Sequence, residues 1–178
     1  MHCQAIILAP MEDLTEETQS LIQESGASMK IRCHACTGHI DPDDMVLLWE
    51  EPHVVVSTPD RVLEMIRCGV LMIGSMRMFV MDEASEIIAR GHEDLMYLIL
   101  QQLPTTTQAI ALSATIPKGV MEMVSSLTSE PARIVLQDEW IMASVKHFPH
   151  HDGTGSVQLA CELYEVVMSS RRCLLQLA

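Results

Sequence analysis

The chain has 178 residues, 48% of them apolar, with 24 acidic against 11 basic side chains and a net charge of -13. That length supports one well-buried domain, or one domain plus a fragment of another; the apolar share excludes a disordered polymer, and the negative field repels nucleic-acid phosphates outside local patches. No run of about 18 apolar residues offers a membrane span, Met1-His2-Cys3-Gln4 lacks the basic start of a secretory signal, and six scattered cysteines suggest reduced thiols rather than a disulfide framework, so the expected location is cytoplasmic, with the nucleus as the alternative.

Apolar runs alternate with stretches of helical period along the chain. In order, the pattern predicts a strand at Ala5–Leu8, a helix at Asp13–Glu24, a strand at Ile31–Cys36, a helix at Asp43–Trp49 and a strand at Val54–Ser57. A helix over Pro59–Arg67 follows, with Thr58 able to cap it and Pro59 suited to its first turn. Then come a strand at Met76–Met81, a helix at Asp94–Gln102, a strand at Gln108–Ser113, a helix at Pro117–Leu127 and a strand at Arg133–Leu136. The strand runs are continuously apolar rather than alternating, as in a parallel sheet covered on both faces. Aromatic residues are scarce, at two each of Trp, Tyr and Phe, so the fourteen methionines must help fill the core; Met65, Met121 and Met123 are candidates.

After Leu136 an acidic connector, Gln137-Asp138-Glu139, precedes a short strand candidate at Ser144–Phe148, a loop containing His150 and His151, and helical spacing over Val157–Met168. The expected organisation is a domain over 1–136, a linker over 137–143 and, over 144–178, a piece too small to fold alone.

Two strands deliver chemistry at their carboxyl ends, where open α/β sheets bind ligands. Phe79-Val80-Met81 runs into Asp82-Glu83-Ala84-Ser85, and Ala109–Leu112 runs into Ser113-Ala114-Thr115. An Asp-Glu pair at such a place suits phosphoryl transfer, the Asp holding Mg2+ and the Glu steering a water. Taken alone, the same pair also fits a solvated helix start. Cys33-His34-Ala35-Cys36 has the spacing of a zinc or redox pair, yet no second pair stands at ligand spacing and a strand puts the two thiols on opposite faces. Ordinary strand residues are the simpler reading. His147, His150 and His151 likewise read as loop histidines.

The ordered set Pro10-Met11-Glu12-Asp13-Leu14, Gly38, Thr58-Pro59-Asp60-Arg61, Asp82-Glu83-Ala84-Ser85 and Ser113-Ala114-Thr115 resembles the DEAD-box RNA helicases, in particular their translation-initiation branch. Five motifs in order carry the resemblance across nearly the whole chain. It implies a RecA-like three-layer α/β lobe over 1–136, lacking the strand of its phosphate loop, followed by the truncated start of a second lobe. It also implies ATP and Mg2+ as cofactors, RNA and an initiation-factor scaffold protein as partners, and no membrane. Asp82, Glu83, Ser113 and Thr115 inherit the catalytic positions, with Asp82 holding Mg2+ through water beside Glu83. Pro10, Gly38, Thr58 and Arg61 inherit the RNA-binding positions.

The departures from the family pattern matter as much. No G-x-x-x-x-G-K-[ST] occurs in the 178 residues, so they contain no nest and Lys for the β and γ phosphates. The family's loop-bearing strand is central, so its loss implies a gap in the sheet. Glu12 stands where the family has an RNA-binding Arg, His39 follows Gly38 in place of a second Gly, Asp60 replaces a Gly, and Ser85 replaces the last Asp of the hydrolytic motif. Each of the first three changes subtracts phosphate affinity. Ser85 against Ser113 or Thr115 makes a weaker contact than a carboxylate would.

Three functions remain open from sequence. One is an ATP-dependent RNA helicase of this family that is deficient in hydrolysis and unwinding. Another is a non-catalytic module competing for the scaffold protein, which apolar patches on Val120–Leu127 or Val157–Met168 would favour. The third is a decayed duplicate without selected function.

Overall fold

The computed structural model describes residues 3–38, 52–127, 132–135 and 172–176. The strands are β1 (Ala5–Leu8), β2 (Cys33–Cys36), β3 (Val54–Ser57), β4 (Met78–Met81), β5 (Gln108–Ser113), β6 (Ala132–Val135) and β7 (Arg172–Gln176). The helices are α1 (Glu12–Gly26), α2 (Pro59–Arg67), α3 (Ala84–Ala89), α4 (Glu93–Leu100) and α5 (Lys118–Leu127), with a 3-10 turn at Ala27–Met29. The predicted helix at Asp43–Trp49, the strand at Ser144–Phe148 and the helix at Val157–Met168 lie outside the described residues.

All seven strands form one sheet in the order β2-β3-β1-β4-β5-β7-β6. Every neighbouring pair is parallel. Parallel strands need crossovers, and among the described residues helices supply them between β1 and β2, β3 and β4, β4 and β5, and β5 and β6. Their carboxyl ends therefore share one edge, which collects the segments after Leu8, Cys36, Ser57, Met81 and Ser113.

Alternation along the strands sorts the core into two faces. Ile6, Leu8, Phe79, Met81 and Ala111 join one large cluster with Val62, Met65, Ile87, Met96, Ile99, Val120 and Met123 from the helices. Val80 and Ile110 face the other way, with Ile7, Met78, Leu112, Ala132 and Ile134 packed on them. Phe79 is the one aromatic in the large cluster's fully buried set, where Met65, Met76, Met81, Met96 and Met123 take the volume that aromatics usually fill. Met65 and Met123 are core residues as expected, and Met121 packs against the core from a half-buried position.

Helix α1 lies on β2 and β3. Gln19 and Gln23 both donate from Nε2 to the Cys33 carbonyl, at 3.0 and 3.2 Å. Gly26 closes that unit because a Cβ there would stand 2.9 Å from the Ile31 Cβ. Cys33 and Cys36 are both buried strand residues. Thr58 occupies the cap position of α2, but its side chain makes no capping bond; Pro59, with φ fixed by its ring, starts the helix.

The expected gap in the sheet is not there. The sheet has no empty lane beside β5, because β7 lies there, pairing Ile110 with Cys173 on one side and Ala132 with Cys173 on the other. A lane between two strands exposes two rows of unpaired N–H and C=O groups, and an apolar run such as Cys173-Leu174-Leu175 satisfies both. The strand was not foreseen, and its residues lie within 144–178, expected as the start of a second lobe; in the described structure they belong to the first sheet.

Candidate functional site

Two neighbouring strands build the candidate site. β4 and β5 pair from Met78 with Gln108 to Met81 with Ala111, so the residues that leave β4 sit beside the last residues of β5. The Asp82 N–H donates to the Leu8 carbonyl at 2.9 Å, which holds the residue over the end of β1. Its carboxylate then turns back to accept from the Glu83 N–H at 3.1 Å. Burial holds the Asp82 carboxyl above the ordinary carboxylate range, and that backbone bond only partly opposes the effect.

Glu83 has φ 48 and ψ 50, the left-handed region that a side chain enters at a cost. The turn redirects the chain from β4 into α3, whose first bonds run from the Glu86 and Ile87 N–H groups to the Glu83 carbonyl at 2.8 and 3.1 Å. The Glu83 side chain is left exposed at the carboxyl edge of the sheet. Ser85, in the first turn of α3, meets Ser113 from β5. The Ser113 hydroxyl donates to Ser85 Oγ at 2.8 Å and accepts from the Ser85 N–H at 3.3 Å. Ser113 is 1% exposed.

Asp82, Glu83 and Ser113 thus converge at one corner, while Thr115 lies two residues past β5 and is exposed. Pro10, Gly38 and Thr58 stand at the exits of β1, β2 and β3 on the same edge. Arg61 is turned inward instead, 2% exposed, with Nη1 2.8 Å from Glu64 Oε2. Its guanidinium is buried beside Glu64 of the same helix.

The sequence reading missed two contacts at this edge. Glu12 Oε1 accepts from the Gly38 N–H at 3.0 Å, and the Ser57 hydroxyl donates to the Cys36 carbonyl at 2.6 Å. The substitution of an acid at residue 12 was visible; the amide it meets, 26 residues on, was not.

The donor set fits one of the two implied cofactors. Mg2+ is commonly held by one or two carboxylates together with phosphate oxygens and waters, and Asp82 beside Glu83 supplies such carboxylates. The triphosphate does not fit the same residues, because Asp82, Glu83, Ser85, Ser113 and Thr115 include no cation.

Comparison with known proteins agrees with the geometry. The family model described as DEAD/DEAH box helicase matches residues 1–123, and the chain belongs to that family. The ATP-dependent RNA helicase eIF4A of Neurospora crassa is 44% identical over 148 residues, which cover 82% of this chain and 37% of that protein. The eIF4A of Schizosaccharomyces pombe is 40% identical over 170 residues, 93% of this chain and 43% of that protein. The chain therefore spans about two-fifths of the curated relatives it matches. Among solved structures, a variant of S. cerevisiae Dbp5 bound to Nup159, a Gle1 variant, IP6 and ADP covers 98% of this chain and 59% of its own length, at TM-score 0.64 and 18% identity. A second Dbp5 variant structure, with a Gle1 variant and IP6, gives TM-score 0.65 at 19% identity. Both show the fold, a RecA-like α/β lobe.

Proposed function

We propose that these residues form the hydrolytic-motif portion of an ATP-dependent RNA helicase of the eIF4A type, and that on their own they neither hydrolyse ATP nor unwind RNA. The observation that carries the reading is the corner where Asp82 and Glu83 from β4 stand beside the Ser85–Ser113 bond from β5. In that reading Asp82 holds Mg2+, Glu83 orients a water, and Ser113 ties the hydrolytic turn to its neighbouring strand. Bound with ATP, Mg2+ supplies charge neutralisation at the transferred phosphoryl group.

Loss of activity follows from the missing phosphate ligands. Cations that position and neutralise the transferred group are worth roughly 10³-fold or more, and neither the corner residues nor a Walker-type loop within the 178 residues supplies them. RNA, an initiation-factor scaffold protein and a cytoplasmic location, with the nucleus as alternative, belong to the same proposal. Of the Val120–Leu127 stretch that the docking-module reading invokes, Val120, Met123 and Val124 are buried in the core. The other stretch that reading invokes, Val157–Met168, lies outside the described residues.

The test is binding of a fluorescent ATP analogue with Mg2+ to the purified chain and to Glu83→Gln, with folding checked by circular dichroism. A folded chain with no saturable binding is the expected result. Saturable micromolar binding means a phosphate site exists and overturns the deficiency, while an unfolded chain points to a decayed duplicate.

A further inference from the structure

The exits of β2 and β3, together with the start of α1, make a second stretch of the carboxyl edge, on the far side of the β1 end that Asp82 covers. Gly38 leaves β2 with φ 72, and among the described residues nothing beyond its chain neighbours lies within 4 Å of where its Cβ would stand. A backbone N–H that leaves the carboxyl end of a parallel strand in this conformation is the kind of donor that gives a hydrogen bond to a phosphate oxygen. Here it is engaged. Glu12 Oε1 takes it at 3.0 Å, from an exposed side chain on the first residue of α1, ahead of which Met11 makes no side-chain cap.

The surroundings reinforce the choice of a carboxylate over an outside anion. Asp13 stands next in α1 and Asp60 in the first turn of α2, both exposed. The nearby cation, Arg61, faces inward to Glu64. A phosphate arriving at Gly38 must displace the carboxylate oxygen and remain beside the displaced charge, so two unfavourable terms fall on the same contact.

We propose that Glu12 is a built-in anion that occupies the β2 exit amide and sets the affinity of this rim for an RNA backbone. The inference rests on the RNA reading above and specifies the residue that regulates it. Neutralising Glu12 removes the repulsion and weakens the bond; a cation there frees the amide and adds a phosphate partner.

The experiment uses the full chain, with Glu12→Gln, Glu12→Arg and, as a control for net charge, Glu17→Arg on the exposed part of the same helix. Binding of a labelled single-stranded oligouridylate of about 20 nucleotides is read by anisotropy at about 50 mM salt and at higher salt. The Gly38 amide resonance in a 15N–1H spectrum reports the internal bond without RNA. Glu12→Arg is expected to bind at least about tenfold tighter than Glu17→Arg, with a log–log salt slope steeper by about one, and with Glu12→Gln between it and the parent chain. The Gly38 amide shifts and exchanges faster in Glu12→Arg and stays put in Glu17→Arg.

Equal tightening by the two arginine variants overturns the inference and leaves the RNA reading standing, since net charge alone would then be responsible. A Gly38 amide that does not respond to Glu12→Arg overturns it as well. If the amide is released and none of the four proteins binds RNA, the RNA reading falls and the inference falls with it.

Discussion

Ser113 and Ser85 share two hydrogen bonds across the β5–α3 junction: the Ser113 hydroxyl donates to Ser85 Oγ at 2.8 Å and receives the Ser85 N–H at 3.3 Å. One hydroxyl therefore satisfies two groups of the turn that follows the hydrolytic motif. Because Ser113 is buried, its removal leaves Ser85 groups without a partner. Ser113→Ala is expected to destabilise by about 1–2 kcal/mol, an ordinary net hydrogen bond plus part of the penalty for the orphaned groups. Ser85→Ala costs less, because it removes only the Oγ–Oγ bond and leaves the buried Ser113 hydroxyl still accepting from the residue 85 N–H. Urea unfolding of both variants checks the order, and equal losses would show that the bond matters only through the Ser85 side chain.

Glu83 stores backbone strain at the same corner. A left-handed residue with a Cβ costs about 1–2 kcal/mol, and its φ of 48 lies squarely in that region. Glu83→Gly removes the steric term but frees the unfolded chain, so a net gain of about 0.5–1 kcal/mol is expected. Glu83→Val, branched at Cβ, should destabilise by at least as much. The contrast separates conformation from charge, since both variants lose the same carboxylate; midpoints in urea with unchanged slopes make the measurement.

Asp82 gives a pH-dependent prediction. Burial raises its carboxyl above the usual 3.8 in the fold, with the Glu83 N–H opposing in part. The folded chain therefore binds this proton more tightly than the unfolded chain does. The stability it contributes is complete below the unfolded value and is lost as pH rises through the folded one. At neutral pH the ionised carboxylate is a burden to the apo fold, so Asp82→Asn should raise Tm near pH 7 and lose that advantage as the pH approaches 3.8. A Tm difference independent of pH would mean that the gain comes from something other than ionisation.

Much of this architecture was legible because burial writes a simple pattern. The strands Ala5–Leu8, Val54–Ser57 and Gln108–Ser113 and the helix Pro59–Arg67 have the predicted bounds. The strand runs are apolar on both faces and are followed within two residues by a polar or proline residue, while the helix opens on Pro59 after Thr58, so no competing signal blurs them. Others shifted by a few residues: β4 starts at Met78 because Met76 N–H bonds to the Ile73 carbonyl in a turn, not to the sheet. Helix α3 was missed because its six residues are too few to display a period, and its start depends on Glu83 adopting a conformation that no propensity predicts. Strand β7 was missed for another reason. Its place is set by a lane between β5 and β6, a demand made by distant strands and not written in Arg172–Gln176 itself. At the site, the motifs put Asp82, Glu83 and Ser113 at strand ends, and β4 and β5 end at Met81 and Ser113. The inward turn of Arg61 and the reach of Glu12 to Gly38 are side-chain choices made in three dimensions.

The thiols should report the packing directly. Burial pushes Cys3 and Cys33 each to about 11, whereas Cys68 is exposed. The reactive species is the thiolate, so native alkylation near pH 8, mapped by mass spectrometry, is expected to modify Cys68 quickly and Cys3, Cys33 and Cys36 only as fast as the chain opens. The same two thiols make the fold sensitive to alkali. Unfolded thiols ionise near 9.0 while the folded ones hold their protons to about 11, so stability declines as pH rises through that window. Fast labelling of Cys3 under native conditions would show that the β1 end of the sheet opens locally.

The seventh strand yields the sharpest test of the sheet. Leu174 pairs with Ala111 on one side and with Arg133 on the other, so β7 is an interior strand at that point. Proline there removes a ladder donor and places its ring against a neighbouring strand, a substitution that interior strands do not accept. Leu174→Pro is expected to cost about 3 kcal/mol or more, and to free amides in both β5 and β6 to exchange with solvent. A proline at an edge strand would disturb one neighbour only. Hydrogen exchange read on Ile110, Ala111 and Ile134 therefore separates the arrangements: protection lost on both sides confirms a strand between β5 and β6, whereas unchanged exchange in both would mean that residues 172–176 do not hold the sheet together.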